Sequence, residues 1–382
     1  MNIRLIIPSY NTQEHLVNTY ESVRRYYKDV EMVIINDGSE DATSEWLQSL
    51  KDDNVIKIDS KERRGHTFFY DEGMRKASND IVGILHSDMI IGPNYLENML
   101  KHLERGKVVC ATRVEPPIHP AGLEKIVMNF GMDWNDLKID EFETFCLEIQ
   151  KDKDKTTRGI FAPWILYRDD HFAIGGHDQT FAPYGYEDSD IFNRWILAGY
   201  EMIQSRDSLV YHLTCRGHRW NKGVGIENND YKETMGRCRR DFIRKWGDWI
   251  HNDEFQFPII NSKYDVGICI KNCNDLLLKE LEPWCSTIYV DCDIDSYIKQ
   301  EQINTRYDLM ERVLPIDNEK QNNILIGIDG IQFNNEDFRH IQQLAAIISN
   351  DKELEIGTFQ LGNLQITINE LKTYEKELIY NQ

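Results

Sequence analysis

The sequence predicts an α/β protein with two domains. The chain has 382 residues, more than the roughly 100–200 residues of a typical domain. Hydrophobic residues make up 41% of it, which is enough for buried cores, and short apolar runs alternate with stretches of helical spacing. This alternation predicts a mostly parallel sheet with helices on both faces, followed by a second, smaller α/β domain.

The first domain is predicted to span residues 1–257. Its apolar runs at 3–7, 31–35, 55–58 and 81–85 are expected to be strands, and helical spacing covers 13–27, 41–50 and 66–78. Ligands of such sheets bind at the carboxyl ends of the strands. The candidate residues therefore follow the runs: Pro8, Ser9, Tyr10, Asn36, Asp37, Gly38, His86, Ser87 and Asp88.

The second domain is predicted to span residues 258–382. Strands are expected at 266–270, 287–290 and 324–328, and helices at 275–282 and 336–348. Of the 11 histidines of the chain, only His340 lies in this part. We therefore expect the chemistry in the first domain, and the role of the second stays open.

Composition narrows the class of protein. Acidic residues outnumber basic ones by 64 to 44, which disfavours nucleic acid and anionic membranes as partners. No run approaches the roughly 20 apolar residues of a membrane span, and the first run is too short for a signal peptide. The eight cysteines form no CxxC pair, and Cys269, Cys273, Cys285 and Cys292 have poor spacing for zinc. A cytoplasmic protein with reduced thiols is expected.

Two carboxylates occupy equivalent places at the predicted sheet edge. Asp37 and Asp88 each follow an apolar run, so both are expected to point into one crevice. Mg²⁺ and Mn²⁺ prefer hard oxygen ligands and commonly bridge a carboxylate to a diphosphate. For Asp37 a plain turn is an alternative, because Asn-Asp-Gly-Ser is strong turn chemistry.

A third group of acidic residues lies among aromatic residues in the segment 184–192. Glu187, Asp188 and Asp190 are typical of a helix N-terminus. Flanking aromatic rings such as Tyr184 and Tyr186 also suit a sugar platform beside a general base.

Cationic residues follow the apolar run 208–211. His212 ends the run, and Arg216, His218 and Arg219 come soon after it. In an acidic chain this grouping favours a metal–phosphate site over an isolated structural histidine.

Taken together, these motifs resemble glycosyltransferase family 2 and its GT-A-fold relatives, over roughly residues 3–250. The stretch from Gly185 to Arg194 is also similar to a segment of animal β-1,4-galactosyltransferases. In chain order the motifs are Pro8-Ser9-Tyr10-Asn11, Ile35-Asn36-Asp37-Gly38-Ser39, Gly73 with Ala77 before Asp80-Ile81, His86-Ser87-Asp88, Gly175-Gly176-His177-Asp178, and Glu187-Asp188 with Arg194 and Gly199-Tyr200.

The resemblance implies roles for individual residues. Asp88 and His212 would bind Mn²⁺ or Mg²⁺, Asp188 would be the general base, and Glu187, Tyr184 and Tyr186 would contact the acceptor. The nucleotide-sugar would contact Pro8, Ser9, Tyr10, Asp37, Gly65, His86, Ser87, Arg216, His218 and Arg219. Two positions depart from the family pattern. His86 stands where the family usually has the first aspartate of the DxD motif, so it stays open whether His86 contacts the metal or the ribose. Asp71 stands where many members have asparagine.

The implied reaction is inverting, metal-dependent transfer of a sugar from a nucleotide-diphosphate sugar, expected to be UDP-linked, to a hydroxyl of a glycan or protein. The glycine-containing loop after Arg216 would order over the diphosphate. The second domain would position the acceptor or mediate assembly. A noncatalytic glycan- or nucleotide-sugar-binding protein and a nucleotidyltransferase are the alternatives, although the basic glycine-rich loop typical of the latter is missing near the N-terminus. The sugar, the acceptor and the oligomeric state stay open.

Overall fold

The structure is a computed structural model that describes residues 2–78, 80–214, 216, 218–220, 226–351 and 355–380. The chain falls into two compact units. The first contains Met1–Thr234 and Asn252–Pro258, and the second contains Met235–His251 and Ile259–Tyr380. Residues 235–251 thus pack with the second unit, although the sequence places them in the first domain. The functional division after residue 257 stays a prediction.

The first unit is built around one mixed sheet, as the alternation of strands and helices predicted. Its elements are β1 (Ile3–Ser9), α1 (Gln13–Tyr26), β2 (Glu31–Asp37), α2 (Thr43–Ser49), β3 (Val55–Ser60), α3 (His66–Lys76), β4 (Ile81–Ile84), β5 (Met89–Ile91), α4 (Tyr95–Leu100), β6 (Lys107–Glu115), β7 (Lys125–Val127), α5 (Ile139–Ile149), β8 (Thr156–Thr157), β9 (Trp164–Tyr167), α6 (Arg168–Ala173), α7 (Glu187–Leu197) and β10 (Glu201–His212). The strand order is β3-β2-β1-β4-β9-β6-β10-β5, with β7 beside β6 and β8 beside β10.

Most long strands of this sheet share one direction. β1 is parallel to β2 and β4, and β2 is parallel to β3. β9 runs against both β4 and β6, so β6 is again parallel to β4, and β10 is parallel to β6. The carboxyl ends of β1, β2, β4, β6 and β10 therefore meet at one edge, and each is at or next to a polar residue.

Hydrophobic packing fixes this edge in place. β1 is buried over its whole length, and its Ile3, Leu5 and Ile7 join a core with Leu16 and Val23 of α1. A second core lies towards β10, where Tyr211 packs with Phe130 and Phe142. Burial of this apolar surface is the dominant stabilising contribution, so the polar strand ends rest on a rigid scaffold.

The second unit contains a six-stranded sheet with the order β15-β14-β13-β16-β18-β17. Its elements are α8 (Asn229–Trp246, most of which belongs to this unit), β13 (Val266–Lys271), α9 (Asp275–Leu281), β14 (Thr287–Val290), α10 (Ile294–Glu301), α11 (Leu309–Arg312), β15 (Val313–Pro315), β16 (Ile324–Asp329), α12 (Asn335–Gln342), α13 (Leu344–Asn350), β17 (Gly357–Leu361) and β18 (Leu364–Ile368); the short strands β11 (His251–Asn252) and β12 (Pro258–Ile259) follow α8. The helix predicted over 336–348 is interrupted at Gln343. Among the described residues, no helix has the length and apolar character to cross a membrane.

Candidate active site

Three side chains of the first unit could hold a metal ion. His86 and Asp88 follow β4, His212 ends β10, and their ligand atoms lie within 4.8 Å of one another. His212 Nε2 is 3.6 Å from Asp88 Oδ1. Burial and the neighbouring His212 lower the pKa of His86 to about 3, so its imidazole is neutral and has a free lone pair at neutral pH. Two imidazoles and a carboxylate suit a first-row divalent ion.

Glu115, at the end of β6, orients His212 of this group. Its Oε1 accepts a hydrogen bond from His212 Nδ1 at 3.0 Å, which leaves Nε2 of the same ring free to face Asp88. Arg113 and Lys125 donate to the same carboxylate at 2.7 and 2.9 Å. Burial alone would raise the pKa of Glu115, but these partners hold it well below its usual range. The arrangement matches the carboxylate–histidine–metal pattern of metalloproteins.

Replacing Glu115 with glutamine is expected to weaken Mn²⁺ binding by about 10- to 100-fold, the usual effect of losing such a partner. The glutamine amide would no longer hold His212 in one tautomer. Calorimetric titration of the protein with Mn²⁺ measures the change. Glu104→Gln, on an exposed side chain, is the matched control, and equal affinities for the two variants would contradict this role of Glu115.

Glu187 and Asp188 begin α7 and lie next to His66 of α3. His66 Nε2 is 2.6 Å from Glu187 Oε1. Burial would raise the pKa of Glu187, but His66 lowers it to about 2, so Glu187 is ionised. Burial and the charge of Glu187 then raise the pKa of the half-buried Asp188 to about 7. The sequence led us to expect an Asp188 ionised near neutral pH; in the structure it titrates there.

His66 also connects the acidic pair to the candidate metal group. Its ring is stacked 6.5 Å from the ring of His86. His66 thus links Glu187, the neighbour of Asp188, to the His86–Asp88–His212 group. Sequence reasoning missed His66, which is simply the first residue of a predicted helix.

Asp190, the third acidic residue of α7, has a structural contact instead. Arg194 Nε donates to it at 2.8 Å, and both side chains are fully buried. The same guanidinium donates to the backbone oxygens of Ile174 and Gly176 at 3.0 and 2.6 Å. Asp190 and Arg194 thus tie α7 to the turn that precedes it.

Asp71 holds the same turn from the side of α3. Its Oδ1 lies 2.8 Å from His171 Nε2 and 2.7 Å from His177 Nδ1, and its Oδ2 accepts the backbone N–H of His177 at 3.1 Å. These three side chains are a second group with the composition of a metal site. Because both rings converge on one carboxylate oxygen at hydrogen-bond distance, we interpret the group as an anchor for the turn.

Asp37, predicted to contact the nucleotide, bonds to the chain entering α3. Its two carboxylate oxygens accept the backbone N–H groups of Arg64 and Gly65 at 2.6 and 2.9 Å. Gly65 has φ of +89°, and a Cβ there would lie 2.1 Å from the oxygen of Pro183. Only glycine fits this position, so Asp37 and Gly65 together fix the path of the chain into α3.

The other strand-end residues form a polar floor. Ser9 Oγ is 2.9 Å from Thr12 Oγ1, which is 3.0 Å from Ser87 Oγ. Pro8 is buried within β1. Tyr10 comes directly after β1, and the Arg63 guanidinium lies 3.9 Å from the centroid of the Tyr10 ring.

An aromatic wall faces the start of α7. The ring of Tyr184 lies 4.6 Å from that of His218 and 6.1 Å from that of His66. Arg63 also lies over Tyr184, at 5.2 Å. Tyr186 precedes α7 in a left-handed conformation, with φ of +69°. His218 and Tyr184, predicted for different ligands, therefore share one surface.

The two arginines predicted to contact the diphosphate have protein partners here. The Arg216 side chain donates to the backbone oxygens of Leu213 and Met132, and only its backbone N–H reaches Asp88, at 3.2 Å. Arg219 Nε donates to Glu227 at 2.8 Å. Of the predicted lid, Gly217, Gly223 and Gly225 lie outside the described residues, so the lid stays a prediction.

Comparison with known families identifies the first unit. Residues 5–173 match the model described as Glycosyl transferase family 2. They are a glycosyltransferase family 2 domain. Residues 151–216 of the chain, which overlap this family 2 domain, also match the model described as the N-terminal domain of galactosyltransferase. The predicted family is thereby confirmed for these residues, and the mixed α/β sheet agrees with the predicted fold class.

Individual relatives of the family 2 domain are distant. The poly-β-1,6-N-acetyl-D-glucosamine synthase of Staphylococcus aureus is 34% identical over 105 residues, 26% of this chain and 26% of the synthase. Validoxylamine A glucosyltransferase of Streptomyces hygroscopicus is 25% identical over 235 residues, 54% of each chain. The match thus spans from about a quarter to about half of these relatives.

Two solved structures align with part of this chain. GalNAc-T7, crystallised with UDP, GalNAc and Mn²⁺, has a TM-score of 0.45 and 14% identity, covering 79% of this chain and 54% of that one. A Pyrobaculum calidifontis mannosyltransferase in complex with GDP-mannose and Mn²⁺ has a TM-score of 0.42 and 17% identity, covering 62% and 61%.

Proposed function

We propose that the protein is an inverting, divalent-metal-dependent glycosyltransferase that moves a hexose from a UDP-sugar to an acceptor hydroxyl. The observation that carries the proposal is the position of His66, which lies against Glu187 beside Asp188 and stacks on His86 of the candidate metal group. A general base on one side of a reacting carbon and a cation site for the leaving group on the other are what a direct displacement requires.

In the proposed step, the acceptor oxygen attacks the anomeric carbon while the bond from that carbon to the diphosphate oxygen breaks. The acceptor proton passes to Asp188, and the bonding electron pair leaves with the diphosphate. A single displacement inverts the anomeric configuration. His86, Asp88 and His212 would hold the Mn²⁺ or Mg²⁺, which supplies positive charge to the diphosphate when bound.

Neighbouring residues of the chain assist this step. Glu187, held ionised by His66, is placed to accept a hydrogen bond from the acceptor. The ring of His218, backed by the buried ring of Tyr184, is proposed to contact the sugar, and Ser9, Tyr10 and Ser87 are proposed to contact the nucleotide. We further infer a cytoplasmic location, which the free cysteines among the described residues support.

The proposal predicts Mn²⁺-dependent release of UDP from one of UDP-glucose, UDP-galactose, UDP-N-acetylglucosamine or UDP-N-acetylgalactosamine, and loss of that release in Asp88→Ala. Coupled UDP detection measures the rate, and proton NMR of a transfer product gives its anomeric configuration. Asp29→Ala, at an exposed position, is the matched control. UDP release that is unaffected by a chelator, or donor affinity that is unchanged in Asp88→Ala, would show the metal site to be misassigned.

A further inference from the structure

The second unit contains a pocket that the proposed chemistry does not use. Its volume is about 580 Å³, within the roughly 300–1,000 Å³ of typical ligand sites. Trp249, Ala346 and Ile347 form its apolar part. We call it the Trp249 pocket.

The polar lining of the Trp249 pocket is dominated by planar amides. Asn261, Gln342, Gln343 and Asn350 each contribute, and every amide offers both a donor and an acceptor. Adjacent hydroxyls of a sugar also offer both. Neither lysine nor arginine lines the described pocket, so it lacks the cations that bind phosphate or carboxylate ligands.

Asp248 holds part of this lining in place. Its side chain is buried, and its carboxylate accepts hydrogen bonds from Asn261 Nδ2 at 2.6 Å and from the backbone N–H of Trp249 at 2.6 Å. His251 Nε2 lies 3.0 Å from the same carboxylate. The pocket therefore has a preorganised polar side, which lowers the cost of binding.

Trp249 supplies a fixed aromatic surface. Its ring packs edge-on against Trp284, with centroids 4.9 Å apart, and Arg239 lies 5.7 Å from its centroid. The residue is half-buried, so part of the ring stays open to the pocket. An aromatic ring with planar amides around it complements a pyranose, which has apolar C–H faces and a polar rim.

We propose that the Trp249 pocket is a binding site for a neutral saccharide. The assignment of this saccharide to the acceptor glycan rests on the proposed transferase function. The proposal that the pocket binds a saccharide does not depend on that function.

The test is a titration of the full-length protein labelled with 5-fluorotryptophan, followed by fluorine NMR. The probes are the β-1,4-linked trisaccharides of glucose, galactose and N-acetylglucosamine, with inorganic phosphate as the charged comparison. Trp249→Phe assigns the Trp249 resonance. We expect a saturable shift of that resonance with at least one trisaccharide and none with phosphate.

Gln342→Ala is expected to weaken the interaction by about tenfold, the loss of about 1.4 kcal/mol of binding free energy. Gln300→Ala, at an exposed position of α10, is the control and should bind as the unmodified protein does. No shift with any trisaccharide at about 10 mM, well above a 1 mM Kd, would overturn the proposal, as would a phosphate response or equal affinity in Gln342→Ala. Nucleotide-sugar and divalent ions are absent throughout, so failure of the donor chemistry would not affect the result.

Discussion

Asp188→Asn is expected to lower the rate of sugar transfer by at least about a hundredfold, the lower end of general-base effects. Asparagine keeps the size and hydrogen-bonding capacity of the side chain but cannot take the acceptor proton. Donor and metal binding should stay near normal, because the proposed metal-binding group, His86, Asp88 and His212, does not include Asp188. Single-turnover transfer assays, with calorimetry of donor binding, separate the two effects.

Two further variants define the role of the acidic pair. Glu187→Gln should weaken acceptor binding more than donor binding, whereas Asp29→Asn, at an exposed site, should change neither. Near-normal transfer by Asp188→Asn with an unchanged anomeric outcome would place the base elsewhere. Glu187 would then be the first candidate, because Asp190 is committed to its buried pair with Arg194.

The pKa of Asp188 gives the same prediction a pH dependence. Since burial and Glu187 raise this pKa to about 7, kcat/KM should fall as the pH drops below that value. An aspartate with an ordinary pKa would cause such a fall only at a much lower pH. Asp188→Asn should not show this fall. Because the folded-state pKa exceeds the unfolded one, ionising Asp188 costs stability as pH rises between the two values. Asp188→Asn should therefore have a higher Tm than the unmodified protein at pH 8.

Part of the site could be predicted because ligands of parallel sheets bind at the carboxyl ends of the strands. β1, β2 and β4 form where apolar runs predicted strands, so the positions of Asp37, His86 and Asp88 followed from the sequence alone. Glu115 obeys the same rule at the end of β6. It was missed because β6 contains Thr112 and Arg113, which break up its apolar pattern even though both are buried.

The sequence did not show which residues would partner the charged side chains of the site. Arg216 and Arg219 follow His212 in the sequence, which suggested free cations for a diphosphate. Arg216 instead contacts Met132, Leu213 and Asp133, and Arg219 contacts Glu227. Met132 is distant in the sequence, and its contact with Arg216 depends on the tertiary fold. Likewise, burial and the charge of Glu187 raise the pKa of Asp188, and Glu187 is kept ionised by His66, which is 121 residues away from it in the chain.

The second unit depends on a buried ion-pair network centred on Glu282. Its side chain is completely buried and accepts hydrogen bonds from Arg244 Nη2 at 2.6 Å, Arg312 Nε at 3.0 Å and Tyr297 Oη at 3.1 Å. Burial alone would raise the pKa of Glu282, but Arg244 and Arg312 lower it to about 2. Its contribution to stability is therefore present above the unfolded-state pKa and is lost as pH falls through the folded-state value.

Glu282→Ala is expected to lower the free energy of unfolding by about 3–5 kcal/mol, because it leaves Arg244 buried beside Arg312 without their shared carboxylate. Denaturant titration monitored by circular dichroism measures the loss. Glu280→Ala, on the exposed face of α9, is the matched control and should stay within about 0.5 kcal/mol of the unmodified protein.

A double variant distinguishes an uncompensated charge from a simple cavity. If the loss comes from the positive charge that Glu282 no longer neutralises, replacing Arg244 with methionine in the Glu282→Met background should recover part of the stability, since apolar replacement of a whole buried pair is often nearly neutral. Additive losses for the two substitutions would mean that Glu282 and Arg244 act independently. A Glu282→Ala protein as stable as the Glu280→Ala control would show that Glu301 and Asp241, which accept from Arg244 at 2.7 and 2.8 Å, are sufficient to neutralise the network.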